Sequence, residues 1–174
     1  MSTPFDAVLL ISFGGPQGPE DIRPFLANVL RGRRIPPARI EDVAHHYERF
    51  GGVSPITQHT ADQAAGLARR LTARGLDLPV YVGTRNWTPL LPDVVSTMAR
   101  DGVRRAIGVL AAAHRSYSSC GQYKDNVLQA REAVHAAGAR PVDVTYVGDW
   151  HLHDGFLTAT ADHIVHARDT LAPD

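Results

Sequence analysis

The sequence predicts an α/β protein built around a four-stranded parallel sheet. Its 174 residues contain four short apolar or β-branched runs, and sequence with helical periodicity separates each run from the next. The first run is continuously apolar, which is typical of a strand buried on both faces. This alternation favours a three-layer Rossmann-like or flavodoxin-like domain with helices on both sides of the sheet. Right-handed crossovers predict the strand order 2-1-3-4.

Local patterns place each element in turn. The four strands are predicted over residues 7–13, 79–83, 105–112 and 142–147. The first helix is predicted from Pro19, where proline and acidic residues suit a first turn, to a stop at Gly32. Further helices are predicted over residues 38–50, 58–73, 90–100, 119–137 and 155–171. A glycine ends three of these helices, as helix stops commonly do.

Composition restricts the class of protein. A 44% share of hydrophobic residues and a 21% share of charged residues are typical of a globular domain and exclude a disordered or fibrous chain. Since 18 basic and 18 acidic residues cancel, no global field attracts nucleic acid or an anionic membrane. The N-terminus has no basic region, and the apolar run after it is too short for a signal peptide or a membrane span. We expect one domain over residues 1–174, in the cytoplasm.

Two loops are candidates for ligand binding. The loop at residues 12–16, Ser-Phe-Gly-Gly-Pro, follows the first strand, and ligands of open α/β sheets bind beyond the carboxyl ends of strands. Its adjacent glycines would let backbone amides approach a flat or anionic ligand, although an ordinary tight turn uses the same residues. The loop at residues 49–57 contains a second glycine pair before Ser54. The Ser54 hydroxyl could hold a carboxylate or cap the following helix.

The exit from the third strand is rich in hydroxyl groups. Residues 114–123, His-Arg-Ser-Tyr-Ser-Ser-Cys-Gly-Gln-Tyr, lead into a helix N-terminus, where amides and hydroxyls can hold anionic groups. Tyr123 could face this cleft or pack in the core. Cys120, the one cysteine, excludes an intramolecular disulfide and fits a reducing compartment. Its thiol could be activated by the helix N-terminus or behave as a small buried hydrophobe.

Common motifs for cofactors and metals are absent. The sequence has no Gly-x-Gly-x-x-Gly fingerprint and no Walker A loop, which weakens a nucleotide-binding interpretation. Nine histidines are present, but none forms a His-Glu-x-x-His pattern. The pairs His151 with His153 and His163 with His166 fit a solvated surface better than a closed metal site.

Several motifs in register resemble the ferrochelatase family, and the resemblance covers nearly the whole chain. They lie at residues 12–16, 23–26, 47–56, 82–89, 101–103 and 116–123. The last two are especially similar to actinobacterial members, which make haem through coproporphyrin. The resemblance implies half of a class II chelatase fold, and a reaction in which Fe²⁺, as substrate, enters coproporphyrin III or protoporphyrin IX. The porphyrin would be gripped and bent between two Rossmann-like halves while protons leave its pyrrole nitrogens.

The resemblance also assigns site residues. Ser54 and Tyr123 would contact the porphyrin, and Phe13 would lie against the ring. His46 and Tyr47 would lie at its propionate edge. Some family members have a tyrosine at the position of Phe13 that can ligate the metal of the product. A phenyl ring has no donor atom, so Phe13 can only pack.

Two further departures concern metal. Family members with a [2Fe-2S] cluster use one cysteine near Cys120 and three near the C-terminus, so a cluster is expected only in a full-length form. The family's metal-handling histidine and glutamate belong to a second half that would begin shortly after Leu171. No catalytic or metal-ligating residue is therefore assigned in this chain. We expect the isolated chain to bind porphyrin weakly and to insert iron poorly, because a second domain or another chain is needed to complete the cleft.

The sequence is compatible with two other functions. The chain could be a half-size tetrapyrrole-binding module or homodimer without catalysis, since two-fold sites arise readily in dimers. It could also be a flavodoxin-like domain that binds a nucleotide, which the architecture alone supports.

Overall fold

The computed structural model describes residues 3–171 and has the predicted α/β architecture. All strand pairings are parallel, and the order β2-β1-β3-β4 confirms the predicted 2-1-3-4. The strands are β1 (Ala7–Ser12), β2 (Val80–Thr84), β3 (Arg105–Leu110) and β4 (Asp143–Tyr146). Three of the strands end slightly earlier than predicted, because the chain leaves the sheet at its carboxyl edge to form the loops described below.

Within residues 3–171, six α-helices connect and cover the strands. They are α1 (Ile22–Val29), α2 (Pro37–Arg49), α3 (Ile56–Ala73), α4 (Leu91–Arg100), α5 (Gln122–Ala136) and α6 (Asp154–Thr170). Gly75, Gly102 and Gly138 have positive φ angles just after α3, α4 and α5, which confirms the predicted glycine stops.

Two predicted helix starts are wrong. The helix expected from Pro19 begins as a short 3₁₀ turn over Pro19–Asp21, and α1 follows it. Pro24 has no N–H, so a continuous α-helix from Pro19 would lose a backbone hydrogen bond there. The helix expected from residue 119 is preceded by a π-helical turn over Tyr117–Gly121, in which Gly121 N donates to Ser116 O at 3.2 Å.

The main core lies between the sheet and the pair α4 and α5. Alternate residues of β1 point to this face, as the period of two in a strand requires. The β1 side chains in this core are Ala7, Leu9 and Ile11, and the α4 side chains are Leu91, Val95 and Met98. The other face of β1 carries Val8, Leu10 and Ser12, all buried. On that face Thr60 of α3 lies 2.9 Å from Ser12, hydroxyl to hydroxyl.

Helix α6 is attached to the rest of the domain through its first turn. Phe156 packs edge-on against Trp150, with ring centroids 5.1 Å apart. Every other side chain of α6 is exposed, including His163 and His166, which agrees with the surface role expected for those histidines. Among residues 3–171, no helix is long and apolar enough to cross a membrane.

Candidate functional site

The loop after β1 is held by the loop after β2. Ser12 O accepts a hydrogen bond from Arg85 N at 3.1 Å. Phe13 O accepts from Asn86 twice, from the backbone N at 3.0 Å and from Nδ2 at 3.2 Å. These bonds fix the backbone at Phe13 against the carboxyl end of the sheet, where ligands of α/β proteins bind.

The loop after β1 also interlocks with the loop that carries Ser54. Ser54 N donates to Pro16 O at 2.8 Å, and Gln17 forms an antiparallel bridge with Val53. A Cβ on Gly15 would lie 2.5 Å from the Ser54 Cβ, and one on Gly14 would lie 2.7 Å from Oγ1 of Thr84. The missing side chains of Gly14 and Gly15 therefore let neighbouring protein loops approach closely, and the approach of their backbone amides to a ligand stays a prediction.

Four aromatic side chains form a cluster centred on Phe25. Its ring contacts those of Phe13, Tyr47 and Trp87 edge-on, at centroid distances of 6.2, 5.8 and 6.4 Å respectively. Trp87 is oriented by a hydrogen bond from its Nε1 to Asp21 Oδ2 at 3.0 Å. Burial raises the pKa of the Tyr47 hydroxyl, so it stays protonated near neutral pH. We call these four side chains the aromatic cluster.

An exposed arginine joins α2 to α1. The two guanidinium nitrogens of Arg23 contact Glu41 at 2.7 Å and Glu48 at 3.1 Å. The hydrogen bond from Arg23 lowers the pKa of Glu41, and the two carboxylates raise the pKa of Arg23. Exposed ion pairs add little stability, so α2 is held on α1 mainly by the apolar contacts of Ala44 and Tyr47 with the cluster around Phe25.

A shallow apolar cavity of about 210 Å³ opens beside these loops. We call it the Ser54 cavity, and its lining residues are His46, Tyr47, Phe50, Val53, Ser54 and Pro55. Two apolar side chains in it are strongly exposed, Phe50 at 82% and Val53 at 52%. Exposed apolar groups clustered beside polar ones are typical of a binding surface.

The Ser54 hydroxyl is only weakly engaged in capping α3. Its Oγ lies 3.5 Å from Ile56 N, at the outer limit for a hydrogen bond, and the N-cap residue of α3 is Pro55. The capping role considered from the sequence is therefore a weak one. The hydroxyl can turn toward a ligand in the cavity at little cost to the helix.

The structure brings together three of the five predicted porphyrin residues. His46, Tyr47 and Ser54 line the same cavity. Phe13 lies outside that lining; it is a member of the aromatic cluster and also packs against the main core. Tyr123 belongs to the main core and is 5% exposed. Burial raises its pKa, while the nearby Arg85 charge opposes that shift.

Sequence reasoning did not single out Phe50 and Val53. The signal was present, because both are apolar residues beside a glycine pair at the end of a helix, where no buried face of a helix or strand accounts for them. Apolar residues in a turn that lacks periodicity point to an exposed binding surface or to a packing contact.

Cys120 lies in the π-helical turn before α5 and is half-buried. Its Sγ donates to Ser116 O at 3.1 Å. Of the serines in this hydroxyl-rich segment, the side chains of Ser118 and Ser119 lie outside the described part of the structure. Within the described residues, no group of three or more His, Cys, Asp or Glu side chains is arranged to hold a metal ion. One thiol falls short of the four that a [2Fe-2S] cluster takes, so this chain alone does not fit that cluster.

Comparison with known proteins places these loops in a family. The family model for ferrochelatase matches residues 5–174. The chain is 44% identical over 168 residues to a ferrochelatase of Rhodopirellula baltica, with 97% of this chain and 47% of the relative covered. It is 47% identical to a coproporphyrin III ferrochelatase of Nocardia farcinica, with 97% and 47% covered. It is 43% identical to a coproporphyrin III ferrochelatase of Streptomyces griseus, with 98% and 46% covered. The chain therefore spans about half the length of the curated relatives it matches.

Proposed function

Because this chain belongs to the ferrochelatase family, we propose that it provides the porphyrin-binding half of a lyase that inserts Fe²⁺ into coproporphyrin III during haem biosynthesis. The relatives in Nocardia and Streptomyces carry coproporphyrin III in their names, which favours this porphyrin over protoporphyrin IX. The observation that carries the proposal is the Ser54 cavity, where apolar and hydrogen-bonding side chains meet at the carboxyl edge of the sheet.

The chemistry of the cavity suits a porphyrin. A porphyrin has a flat apolar ring with carboxylates at its edge, so it needs an apolar surface bordered by hydrogen-bond donors. Phe50 and Val53 provide exposed apolar surface, and the Ser54 hydroxyl and the His46 imidazole can donate to a carboxylate. The protonated Tyr47 hydroxyl is a further donor at the same edge. The proposed pose therefore directs the propionates toward α2.

Insertion replaces two pyrrole N–H protons with one Fe²⁺, and the two protons leave the ring. In our proposal the residues of this chain bind and orient the porphyrin and help to bend it, which exposes the pyrrole nitrogens. Phe13 presents a ring without donor atoms, so its part is to pack and not to ligate iron. Tyr123 is proposed to contact the porphyrin from the hydroxyl-rich exit of β3, after a rotation out of the core.

The Ser54 cavity is shallow, so a bound ring would keep much of its surface in solvent. We therefore propose that a second domain or another chain covers the opposite face of the ring and supplies the histidine and glutamate that handle the metal. The chain alone would then bind porphyrin weakly and insert iron slowly. We place the protein in the cytoplasm, which suits its single free cysteine.

An absorbance titration of the 174-residue chain tests this function. Coproporphyrin III should bind saturably, with a shift of the porphyrin absorption band, and more tightly than protoporphyrin IX. Flavin mononucleotide, added in a parallel titration, should not bind. The function is contradicted if flavin mononucleotide binds saturably and neither porphyrin does.

A second assay tests the proposed weak activity. Addition of Fe²⁺ to the coproporphyrin complex under anaerobic conditions should produce iron coproporphyrin slowly. The rate of iron insertion is compared with that of a full-length relative in the same assay. Equal rates would contradict the proposal that a second domain or another chain must complete the site.

A further inference from the structure

One face of the sheet is only partly covered by helices. Helices α4 and α5 cover the opposite face, and on this face α3 packs against β2. Leu10 of β1 has Val109 of β3 as its neighbour here, because paired residues of parallel strands point to the same side. One pair further along, Ile107 of β3 is the neighbour of Thr145 of β4. Ile107 and Val109 are only half-buried, and Thr145 is exposed.

A cavity of about 240 Å³ lies on this face, between α3 and β3. Its lining residues are Leu10, Gln63, Leu67, Val109, Leu110, Ala111 and Trp150. We call the surface that runs from Leu67 across Val109 and Ile107 to Thr145 the open strip. Adjoining apolar side chains that stay accessible to solvent are typical of an interaction surface.

Helix α6 carries an apolar face that stays exposed. Leu157, Ala161 and Ile164 recur at intervals of four and three residues, so they lie on one side of the helix. Leu157 is 47% exposed, Ile164 is 64% exposed, and the adjacent Val165 is 45% exposed. A helix of a globular protein ordinarily buries such a face against another element. The open strip and α6 are therefore two apolar surfaces that each need cover.

The first turn of α6 is held at the carboxyl edge of the sheet, beside the open strip. Trp150 lines the cavity, its Nε1 donates to Leu110 O at 3.0 Å, and its ring packs against Phe156. The His114 ring also contacts Phe156, with centroids 6.0 Å apart. Beyond Phe156 the side chains of α6 are exposed, so the helix leaves its own domain instead of lying on the strip. A second copy of the chain brings an identical α6 that can lie there.

The length and the charge of α6 suit the open strip. Its 17 residues are about 25 Å long, and the six residues of β3 span about 20 Å. Along α3, Arg70 and Arg74 follow Leu67 at intervals of three and four residues, so they border the strip. In the described part of the chain, neither arginine forms an ion pair with a carboxylate. Asp162 and Asp169, seven residues apart, border the apolar face of α6, so opposite charges flank the two surfaces.

We propose that two copies of this chain form a symmetric dimer in which α6 of each copy lies on the open strip of the other. Each copy gives one helix and receives one, so the contact occurs twice and the assembly closes at two copies. The open strip and the Ser54 cavity share no residue, and the dimer needs no porphyrin. Its formation is therefore tested separately from the proposed function.

Sedimentation equilibrium of the 174-residue chain without porphyrin, over a series of concentrations, tests the proposal. The chain should reach twice the mass of one copy. Ile164→Asp on α6 and Thr145→Asp on the open strip should each weaken the dimer about tenfold or more, since each places a charge in an apolar contact. Leu128→Asp is the matched control, because Leu128 is 51% exposed on α5, away from both surfaces, and its variant should dimerise like the unaltered chain.

Cross-linking with a short bismaleimide identifies which surfaces meet. Copies with Gln63→Cys are mixed with copies with Ile164→Cys, both also carrying Cys120→Ser, and linked pairs should contain one copy of each kind. Leu128→Cys in place of Gln63→Cys should give no linked pairs. The proposal is overturned if the chain stays monomeric at every concentration, or if Leu128→Asp weakens the dimer as much as Ile164→Asp. It is also overturned if Ile164→Cys copies link mainly to one another, or if Gln63→Cys and Ile164→Cys in one copy link within a monomer.

Discussion

Gly15 and Ser54 approach each other so closely that a Cβ on the glycine would lie 2.5 Å from the Ser54 Cβ. Nonbonded Cβ atoms in proteins do not approach to this distance, so only a glycine fits at position 15. The close approach of Gly15 to Ser54 joins two loops that are about 40 residues apart in the chain. The backbone hydrogen bond from Ser54 N to Pro16 O, at 2.8 Å, closes the same junction. The position of the Ser54 hydroxyl in its cavity therefore depends on a glycine in the first loop.

Gly15→Ala should destabilise the chain and weaken porphyrin binding together. The added methyl group must push the Ser54 loop away, and overpacking of this kind costs about 1–3 kcal/mol. Urea unfolding followed by circular dichroism measures the stability. Gly148→Ala is the matched control, because nothing lies within 4 Å of a Cβ at that position. Equal unfolding midpoints for the two variants would show that the loops are not interlocked as described.

Ser54→Ala should weaken the binding of coproporphyrin III while stability stays nearly unchanged. The lost cap bond is already long at 3.5 Å, so little stability depends on it. A hydrogen bond to a charged group contributes about 1.5–3 kcal/mol, which corresponds to roughly 10- to 150-fold in affinity. The absorbance titration measures this loss, with Ser96→Ala on α4 as control. Unchanged affinity together with a large loss of stability would assign Ser54 to capping alone.

Phe50→Ser should reduce porphyrin affinity without lowering stability. The side chain is 82% exposed, so the fold gains little from it, whereas a bound ring would cover it. Covering an apolar side chain contributes roughly 1.5–3 kcal/mol. Leu152→Ser removes a similarly exposed side chain, 73%, away from the cavity and should bind porphyrin normally. Fluorescence quenching of coproporphyrin III gives both affinities, and equal losses in the two variants would argue for nonspecific apolar binding.

Asp6→Asn should make the chain less stable at neutral pH, and this difference should shrink in acid. Asp6 Oδ2 accepts hydrogen bonds from Arg105 N at 2.9 Å and Arg104 N at 2.8 Å, which lower the pKa of Asp6 below its ordinary 3.8. A carboxylate whose pKa is lower in the folded state than in the unfolded state stabilises the fold at pH values above the unfolded-state pKa. That stabilisation is lost as the pH falls through the folded-state pKa.

Urea midpoints measured from pH 7 down to below pH 3.8 test this dependence. The exposed Asp77→Asn, which removes the same charge elsewhere on the surface, is the matched control. A difference for Asp6→Asn that stays constant down to the lowest pH would contradict the role of the carboxylate charge.

The sheet was predictable because its signals are local and consistent. The apolar run before Ser12 is long enough for one buried strand, and right-handed crossovers leave few possible strand orders. Helix stops were equally clear, since Gly75, Gly102 and Gly138 take the positive φ that such stops require. Helix starts were harder to place. The 3₁₀ turn before Pro24 and the π-helical turn at Cys120 depend on backbone hydrogen bonds that residue types alone do not specify.

The candidate site was only partly predictable from the sequence. Motif resemblance identified His46, Tyr47 and Ser54, which the structure does place around one cavity. The burial of Tyr123 depends on how α5 packs against α4 and the sheet, which is a long-range property.

The central claim is that the Ser54 cavity binds the porphyrin, and NMR chemical-shift mapping tests it most directly. Coproporphyrin III is titrated into the isotope-labelled chain, and backbone amide shifts are followed residue by residue. We predict that the largest shifts occur at the end of α2 and through residues 50–54, with ring-current effects strongest at Phe50, Val53 and Ser54. Shifts confined to other surfaces, such as α6, would contradict the claim.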